Sequence, residues 1–363
     1  MKVIQILESC EIQVGSTVQE KLDKETFYIM SDDFHHKLQT LVPQVLGIEI
    51  PFREIYNPYK GQDLNNRSVL ALRHGGFGDI LFLSTGLREL QRKYPDAKLD
   101  VAIGGLYFSA LKNAPHINKV LSLPLKLDVW NQYHYHFTFE GIIENNPDAA
   151  HLNAYDLFMQ RMGLDIKEVP AHRKNPSLYF TKDEYVSVAK QFPSLKEPTS
   201  KKVGIQVASS SPIRTYPSYQ WASVIKHLKE TGYDVYLFGS ENQQVPIDYL
   251  SKQCGDHVYP IIEDLRTAMV LATYMDAIIA PDSMFIHIAG ALKKPLLGIY
   301  GPFPSELRMK YFNRSIAIDA RTTCSPCFKH GRNPCPKGDP APCFSLITPS
   351  IICDAFDNLM QNS

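Results

Sequence analysis

Between residues 202 and 302 the chain alternates short apolar runs with helical patterns, and this alternation most constrains the fold. The runs KVGIQVASS (202–210), YDVYLFGS (233–240), DAIIAPDS (276–283) and PLLGIYGP (295–302) are mostly apolar and end in Gly, Ser or Pro. Such runs suit parallel strands covered on both faces. Between them, SYQWASVIKHLKETG (218–232), DLRTAMVLATYM (264–275) and MFIHIAGALKK (284–294) read as helices. The first opens on Ser218 as N-cap and closes at Gly232. Repeated strand–helix–strand units predict a doubly wound parallel sheet.

An earlier stretch has the same grammar. SVLALRHG (68–75) predicts a buried strand, and KLDVAIGG (98–105) a second one. Between them Ile80, Leu83, Leu87 and Leu90 share one helix face, which Lys93, Tyr94, Pro95 and Asp96 terminate. KVLSLP (119–124) predicts a further strand, AAHLNAYDLFMQRMG (149–163) a helix ended by Gly163, and NPSLYFTKDEY (175–185) a short strand and a helix start. In WNQYHYHFTFEG (130–141), Trp130, Tyr133, Tyr135, Phe137 and Phe139 follow the period of an amphipathic strand; lining an acceptor site is the alternative.

A length of 363 residues suits two domains. Residues 1–60 show little periodicity and predict an extension with one or two small elements. Residues 61–190 form the first α/β domain of this reading and 191–348 the second, joined by the linker-like QFPSLKEPTSKK (191–202). A tail of residues 349–363 holds PSIICDAFDNLM, a helical pattern. Lys+Arg and Asp+Glu are both 38, a balance that argues against a nucleic-acid binder. No apolar run is long enough for a membrane span, and Glu8 and Glu11 interrupt the N-terminus too early for a signal-peptide core. A cytoplasmic protein is therefore expected, whose seven cysteines stay reduced.

In doubly wound sheets ligands gather at the carboxyl ends of strands, and four such ends here are polar. In RHGGFGD, Gly75, Gly76 and Gly78 allow positive φ and close backbone approach, and Asp79 opens a helix. A tight turn with a helix cap would use the same residues. The motif is not G-x-G-x-x-G, and Asp100 lies inside the next strand rather than at its end, which argues against a dinucleotide site. In ASSSPIRTYPSYQW (208–221), Ser209, Ser210 and Arg214 suit phosphate oxygens, or simply a solvated loop. Glu241 in LFGSENQQ (237–244) can accept from a ribose or sit idle at the surface. In APDSMFIHIAGALKKP (280–295), Asp282 and Ser283 precede an apolar helix whose start suits a diphosphate. His287 shares a face with Ser283, or is an ordinary core histidine.

The stretch TCSPCFKHGRNPCPKGDPAPCF (323–344) spaces Cys324, Cys327, Cys335 and Cys343 as C-x2-C-x7-C-x7-C. It has too few apolar residues to fold alone, and four thiolates on one structural metal ion would staple it. Free thiols are the alternative. Zinc and iron both accept such ligands, with His330 as a weaker substitute. Cys10, Cys254 and Cys353 read as packing residues.

Taken in order, GFGD, SSSPIRTYPSYQW, FGSENQ and PDSMFIHIAGALKKPLLGIYGP resemble glycosyltransferase family 9, the ADP-heptose heptosyltransferases, over roughly residues 65–345. The resemblance implies a GT-B fold: two Rossmann-like domains facing a cleft, with the tail helix returning to the N-terminal domain. It implies Asp79 as catalytic base, Arg214 on the donor phosphates, Glu241 near the nucleoside, and Asp282, Ser283 and His287 at the donor-binding helix start. It implies inverting transfer from ADP-heptose without a catalytic metal, onto a protein hydroxyl or a lipopolysaccharide core sugar. The cysteine cluster is similar to the iron finger of the autotransporter heptosyltransferases and tilts the acceptor toward protein. Met284 departs from the family's usual glycine. A GDP- or UDP-sugar donor and a noncatalytic sugar-nucleotide scaffold are the rival readings, and self-association is left open.

Overall fold

The computed structural model describes residues 1–14, 18–196, 200–327, 335–338 and 341–362. The chain forms two compact units, Met1–Asn146 with Tyr155–Val169, and Pro147–Ala154 with Pro170–Ser363. Residues 170–190, expected in the first domain, belong to the second. There the helix Lys182–Gln191, opened by a Thr181–Glu184 capping box, packs on the helix Leu265–Ala272, and Glu184 takes Arg266 at 2.8 Å. No strand precedes it among the described residues of 175–180.

The first 60 residues are not a loose extension. Strands β1 (Lys2–Ile6), β2 (Cys10–Val14), β3 (Val18–Leu22), β4 (Thr26–Met30) and β5 (Leu46–Ile50) form there, with a helix at Asp32–Leu41 capped by Ser31. Strands β2 and β3 make a hairpin. These strands (KVIQI, CEIQV, VQEKL) mix polar with apolar residues, so they write no continuous apolar run of the kind that marks the parallel strands.

Strands β6 (Ser68–Arg73), β7 (Lys98–Ile103), β8 (Lys119–Ser122), β9 (Leu125–Lys126) and β10 (Tyr135–Thr138) follow. An antiparallel sheet runs β5-β1-β4-β9, and a parallel one β10-β6-β7-β8. The antiparallel sheet is covered on both faces. On one, Ile4, Ile6, Tyr28 and Met30 meet Phe34 and Leu38 of the helix; on the other, Val3 and Ile29 meet Leu70, Leu72 and Trp130.

The aromatic run is not an alternating strand. Trp130 ends a short helix, and its ring stacks on His136 at 3.8 Å. His136 and Phe137 are both buried, because β10 pairs in parallel with β6 and is covered on both faces. Phe139 stacks on Phe158 at 5.1 Å. Trp130, Phe137 and Phe139 are core, while Tyr133 and Tyr135 are half-buried, the Tyr133 hydroxyl donating to Asp100 at 2.7 Å.

The second unit holds β11 (Lys201–Gln206), β12 (Tyr233–Gly239), β13 (Val258–Ile262), β14 (Ala277–Pro281), β15 (Leu296–Tyr300) and β16 (Ser315–Asp319). All pairings are parallel, in the order β13-β12-β11-β14-β15-β16. This is the order of the doubly wound nucleotide-binding sheet, which reverses beside β11 and β14. The two strands the sequence left unassigned, β13 and β16, are its edges, and β13 carries Pro260, which an edge tolerates. Pro217, not Ser218, occupies the N-cap position of the helix Ser218–Glu230, and it offers no side-chain cap. The tail helix Pro349–Gln361, expected to return to the N-terminal half, buries Ile352, Phe356 and Leu359 in the core of this second unit. No helix among the described residues is long and apolar enough to cross a membrane.

His116 is buried in the first unit, 3.0 Å from the Ser84 hydroxyl. Burial, and then the Arg88 charge, hold its pKa down to about 4. The unfolded chain binds this proton near pH 6.5 and the folded chain does not, so stability falls as pH drops through that window. Between pH 6.5 and 4.5 the wild type is expected to lose about 2 kcal/mol more stability than His116→Gln, read by urea unfolding. Parallel losses would contradict a neutral, buried His116.

Candidate functional site

At the end of β6 the chain turns through His74, Gly75 and Gly76 into the helix Phe77–Lys93. Gly76 is the N-cap, with φ −72°. None of Gly75, Gly76 and Gly78 is among the glycines with positive φ, so the loop does not use that freedom. Gly75 has a different reason. A Cβ there would lie 2.5 Å from Asp79 Oδ2 and collide with the Arg73 guanidinium. The missing side chain makes room for an ion pair.

Asp79 is the third residue of the helix, and its Oδ2 accepts the Gly76 N–H at 2.9 Å. Its Oδ1 stands 3.3 Å from Arg73 Nη2. That nitrogen also donates to Glu144 Oε1 at 2.8 Å, while Nη1 donates to the Phe139 carbonyl at 2.8 Å. The Arg73 side chain is only 3% exposed. Burial opposes its charge, but the Asp79 and Glu144 charges push its pKa above its ordinary value. The His74 N–H donates to Glu140 at 2.5 Å. Asp79 is thus a helix cap and also a carboxylate pinned through both oxygens, with its side chain 17% exposed. A pinned, partly exposed carboxylate suits proton acceptance from a positioned hydroxyl.

In the second unit the predicted polar loops meet around the ends of β11 and β14. Arg214 Nη1 lies 3.6 Å from Asp282 Oδ2. That separation is beyond hydrogen-bond reach, so the pair leaves Arg214 N–H groups for an anion. Ser283 caps the helix Met284–Leu292 from an extended backbone, and its hydroxyl donates to Gln206 on β11. Ser209 is buried; its N–H donates to the Thr215 hydroxyl at 3.2 Å. Ser209, Ser210, Thr215, Tyr216 and Tyr219 line a pocket of about 490 Å³. Glu241 is exposed in a turn after β12, and Gln243 of that turn donates to the Ala208 carbonyl at 3.2 Å, tying it to the serine loop.

His287 sits beneath this surface, fully buried. Burial, then the Arg308 and Arg214 charges, hold its pKa down to about 3 against the opposing pull of Asp282. The imidazole is neutral, which fits a core histidine better than a phosphate ligand. Arg308, buried in a short helix Glu306–Met309, joins these charges. Sequence reasoning missed it and Arg73 alike, because one lies in a helix too short for periodicity and the other inside a strand. The available signal was a cation near the polar end of a strand in each case.

Cys324, Cys327, Cys335 and Cys343 converge: with Ile213 and Pro302 they line one cavity of about 30 Å³. Among the described residues, no group of three His, Cys, Asp or Glu stands ready-made to hold a metal ion. The Thr322 hydroxyl, 3.3 Å from its sulfur, lowers the Cys324 pKa, while burial raises that of Cys343. His330 lies outside the described residues. Cys353 is buried in the second core, and Cys10 and Cys254 pack against the cores of their units.

The family model for glycosyltransferase family 9 (heptosyltransferase) matches residues 152–335, just over half the chain. Lipooligosaccharide heptosyltransferase 2 of Haemophilus ducreyi is 21% identical over 289 residues, 64% of this chain and 83% of that protein. The Escherichia coli ADP-heptose lipopolysaccharide heptosyltransferase II structure superposes with a TM-score of 0.64 at 17% identity, covering 81% of this chain and 99% of that one. TibC of enterotoxigenic E. coli, a dodecameric iron-containing heptosyltransferase solved with ADP-D-β-D-heptose, gives 0.60 at 15% identity over 95% of this chain and 88% of its own. These likenesses establish the GT-B fold of the heptosyltransferases.

Gly75→Ala is expected to cost about 1–3 kcal/mol of stability, the range for forcing atoms into filled space. In an Asp79→Ala background part of that cost should vanish, because one of the two obstructing groups, the carboxylate, is gone while the Arg73 guanidinium remains. Equal costs in both backgrounds, measured by urea unfolding, would show that the ion pair is not what requires glycine.

Proposed function

Because the chain belongs to glycosyltransferase family 9, we propose that it transfers a heptose from ADP-heptose to an acceptor hydroxyl with inversion at the anomeric carbon. The supporting observation is Asp79, held at the carboxyl end of β6 by Arg73 and the Gly76 N–H. In this reading the acceptor oxygen attacks the anomeric carbon, and the bond from that carbon to the diphosphate oxygen breaks. Asp79 takes the acceptor proton. Negative charge grows on the departing ADP, where Arg214, the Ser209–Ser210 loop and the helix start at Ser283 stabilise it. This cation, the hydroxyls and the amides, rather than a metal ion, carry the leaving charge in this reading. Glu241 is assigned to the nucleoside end. His287, neutral and buried, orders the helix start from below. Met284 puts a side chain where the family's glycine leaves backbone bare, so the phosphate contacts fall to Ser283 and Arg214.

The cysteine segment, by its resemblance to the finger of the autotransporter heptosyltransferases, supports a protein hydroxyl as acceptor; a lipopolysaccharide core sugar is the second reading. Four thiols around one small cavity are a donor set that iron or zinc accepts, so Cys324, Cys327, Cys335 and Cys343 would hold a structural ion. TibC's dodecameric state favours self-association here too. Dependence on a sugar nucleotide and on reduced thiols fits the cytoplasm.

Asp79→Asn is expected to lower turnover of ADP-heptose about 10²–10⁴-fold while ADP still binds, read as ADP release with protein and glycan acceptors. Full activity in Asp79→Asn would overturn the base assignment, and tight ADP binding without turnover by wild type on any acceptor would favour a scaffold. Turnover of GDP- or UDP-sugars in preference would move the donor.

Purified without added metal, the folded protein is expected to carry about one iron or zinc ion per chain by elemental analysis. Folded protein free of both would end the metal assignment.

A further inference from the structure

The cavity of the four thiols and the donor loop share a wall. Ile213, 5% exposed, closes that cavity beside Cys324, Cys327, Cys335 and Cys343. It is the middle residue of the turn Pro212–Arg214, and Arg214 is the next residue along. Inside the loop, the turn is braced by Thr215, whose hydroxyl donates to the Ser211 carbonyl at 3.0 Å. On its underside it rests on the cysteine segment.

The opposite wall is held as firmly. The Cys327 N–H donates to the Pro302 carbonyl at 2.9 Å, and the Ser325 hydroxyl reaches the carbonyls of Gly301 and Ala320. A Cβ at Gly301 would stand 2.9 Å from Cys343 Sγ, so the chain leaving β15 presses directly on a thiol. That chain leads to Phe303, over whose ring the Arg308 guanidinium lies at 5.5 Å. Both arginines of the donor end are therefore within a few residues of groups that the cysteine segment grips.

We propose that the four-cysteine segment is the seat of the donor loop, and that order in its thiol cavity sets the affinity for the nucleoside diphosphate through Ile213 and Arg214. This deepens the reading above and rests on its placement of the diphosphate beside Arg214. A pre-positioned arginine binds without first losing rotamer and loop freedom, whereas a loosened turn must order it on binding.

The test is ADP affinity, by calorimetry on the full chain, with metal content and unfolding recorded for each variant. Ile213→Ala leaves every thiol in place and is expected to weaken ADP binding about tenfold, equivalent to about 1.4 kcal/mol. Cys335→Ser should weaken it similarly. The double variant should be little worse than either single one, because both changes cut the same support. Ile225→Ala, buried in the second unit's core on the helix Ser218–Glu230, controls for general destabilisation and should leave ADP affinity within about twofold. Wild-type ADP affinity in folded Ile213→Ala, or effects of the two changes that multiply, would overturn the inference. Wild type that binds no ADP would overturn the donor assignment itself.

Discussion

A buried guanidinium organises the end of the first unit's parallel sheet. Arg73 leaves β6 with its side chain enclosed, so its charge must be met locally. The Phe139 carbonyl and Glu144, from the stretch after β10, and Asp79, from the helix Phe77–Lys93, meet it. The consequences run outward. Residue 75 must lack a side chain, the helix must start at Phe77, and Asp79 must sit three residues past its cap. A carboxylate that a helix would otherwise use only to cap itself is held at a set angle at a strand end, where α/β sheets bind their ligands.

The second unit solves a different electrostatic problem with the same geometry. Its sheet reverses strand order beside β11 and β14, so the loops after them diverge and leave room for a ligand. Arg214 and Asp282 face each other there at a distance short of a hydrogen bond, and the start of an apolar helix adds free N–H groups. Neutral His287 below keeps a third positive charge out of the interior. For the proposed transfer this would make an anion cradle partly neutralised from within, matched to a diphosphate that must also leave.

Much of this was legible because strands buried on both faces write continuous apolar runs, and Gly, Ser and Pro punctuate them. Strands β6, β7, β11, β12, β14 and β15 were all found this way, as was each polar loop at their ends. The misses share a physical cause. The antiparallel strands of the first 50 residues mix polar with apolar residues, and β13 and β16 are edges, so neither kind leaves a continuous apolar run. The alternation in residues 130–141 mimicked a half-exposed strand, although β10 is covered on both faces. The glycines were read as flexible when Gly75 is instead a steric vacancy, because the atoms that fill it come from Arg73 and Asp79. Glu144, which completes the Arg73 cluster, lies 71 residues further along, and no local pattern announces such a partner.

The base role proposed for Asp79 requires that Arg73 orient it, and the kinetics of Arg73→Gln measure that dependence. Turnover about a hundredfold below wild type with the donor KM near its wild-type value is the expected result, since the second unit's donor cradle is untouched. Turnover at the wild-type level in a folded Arg73→Gln protein would contradict the account.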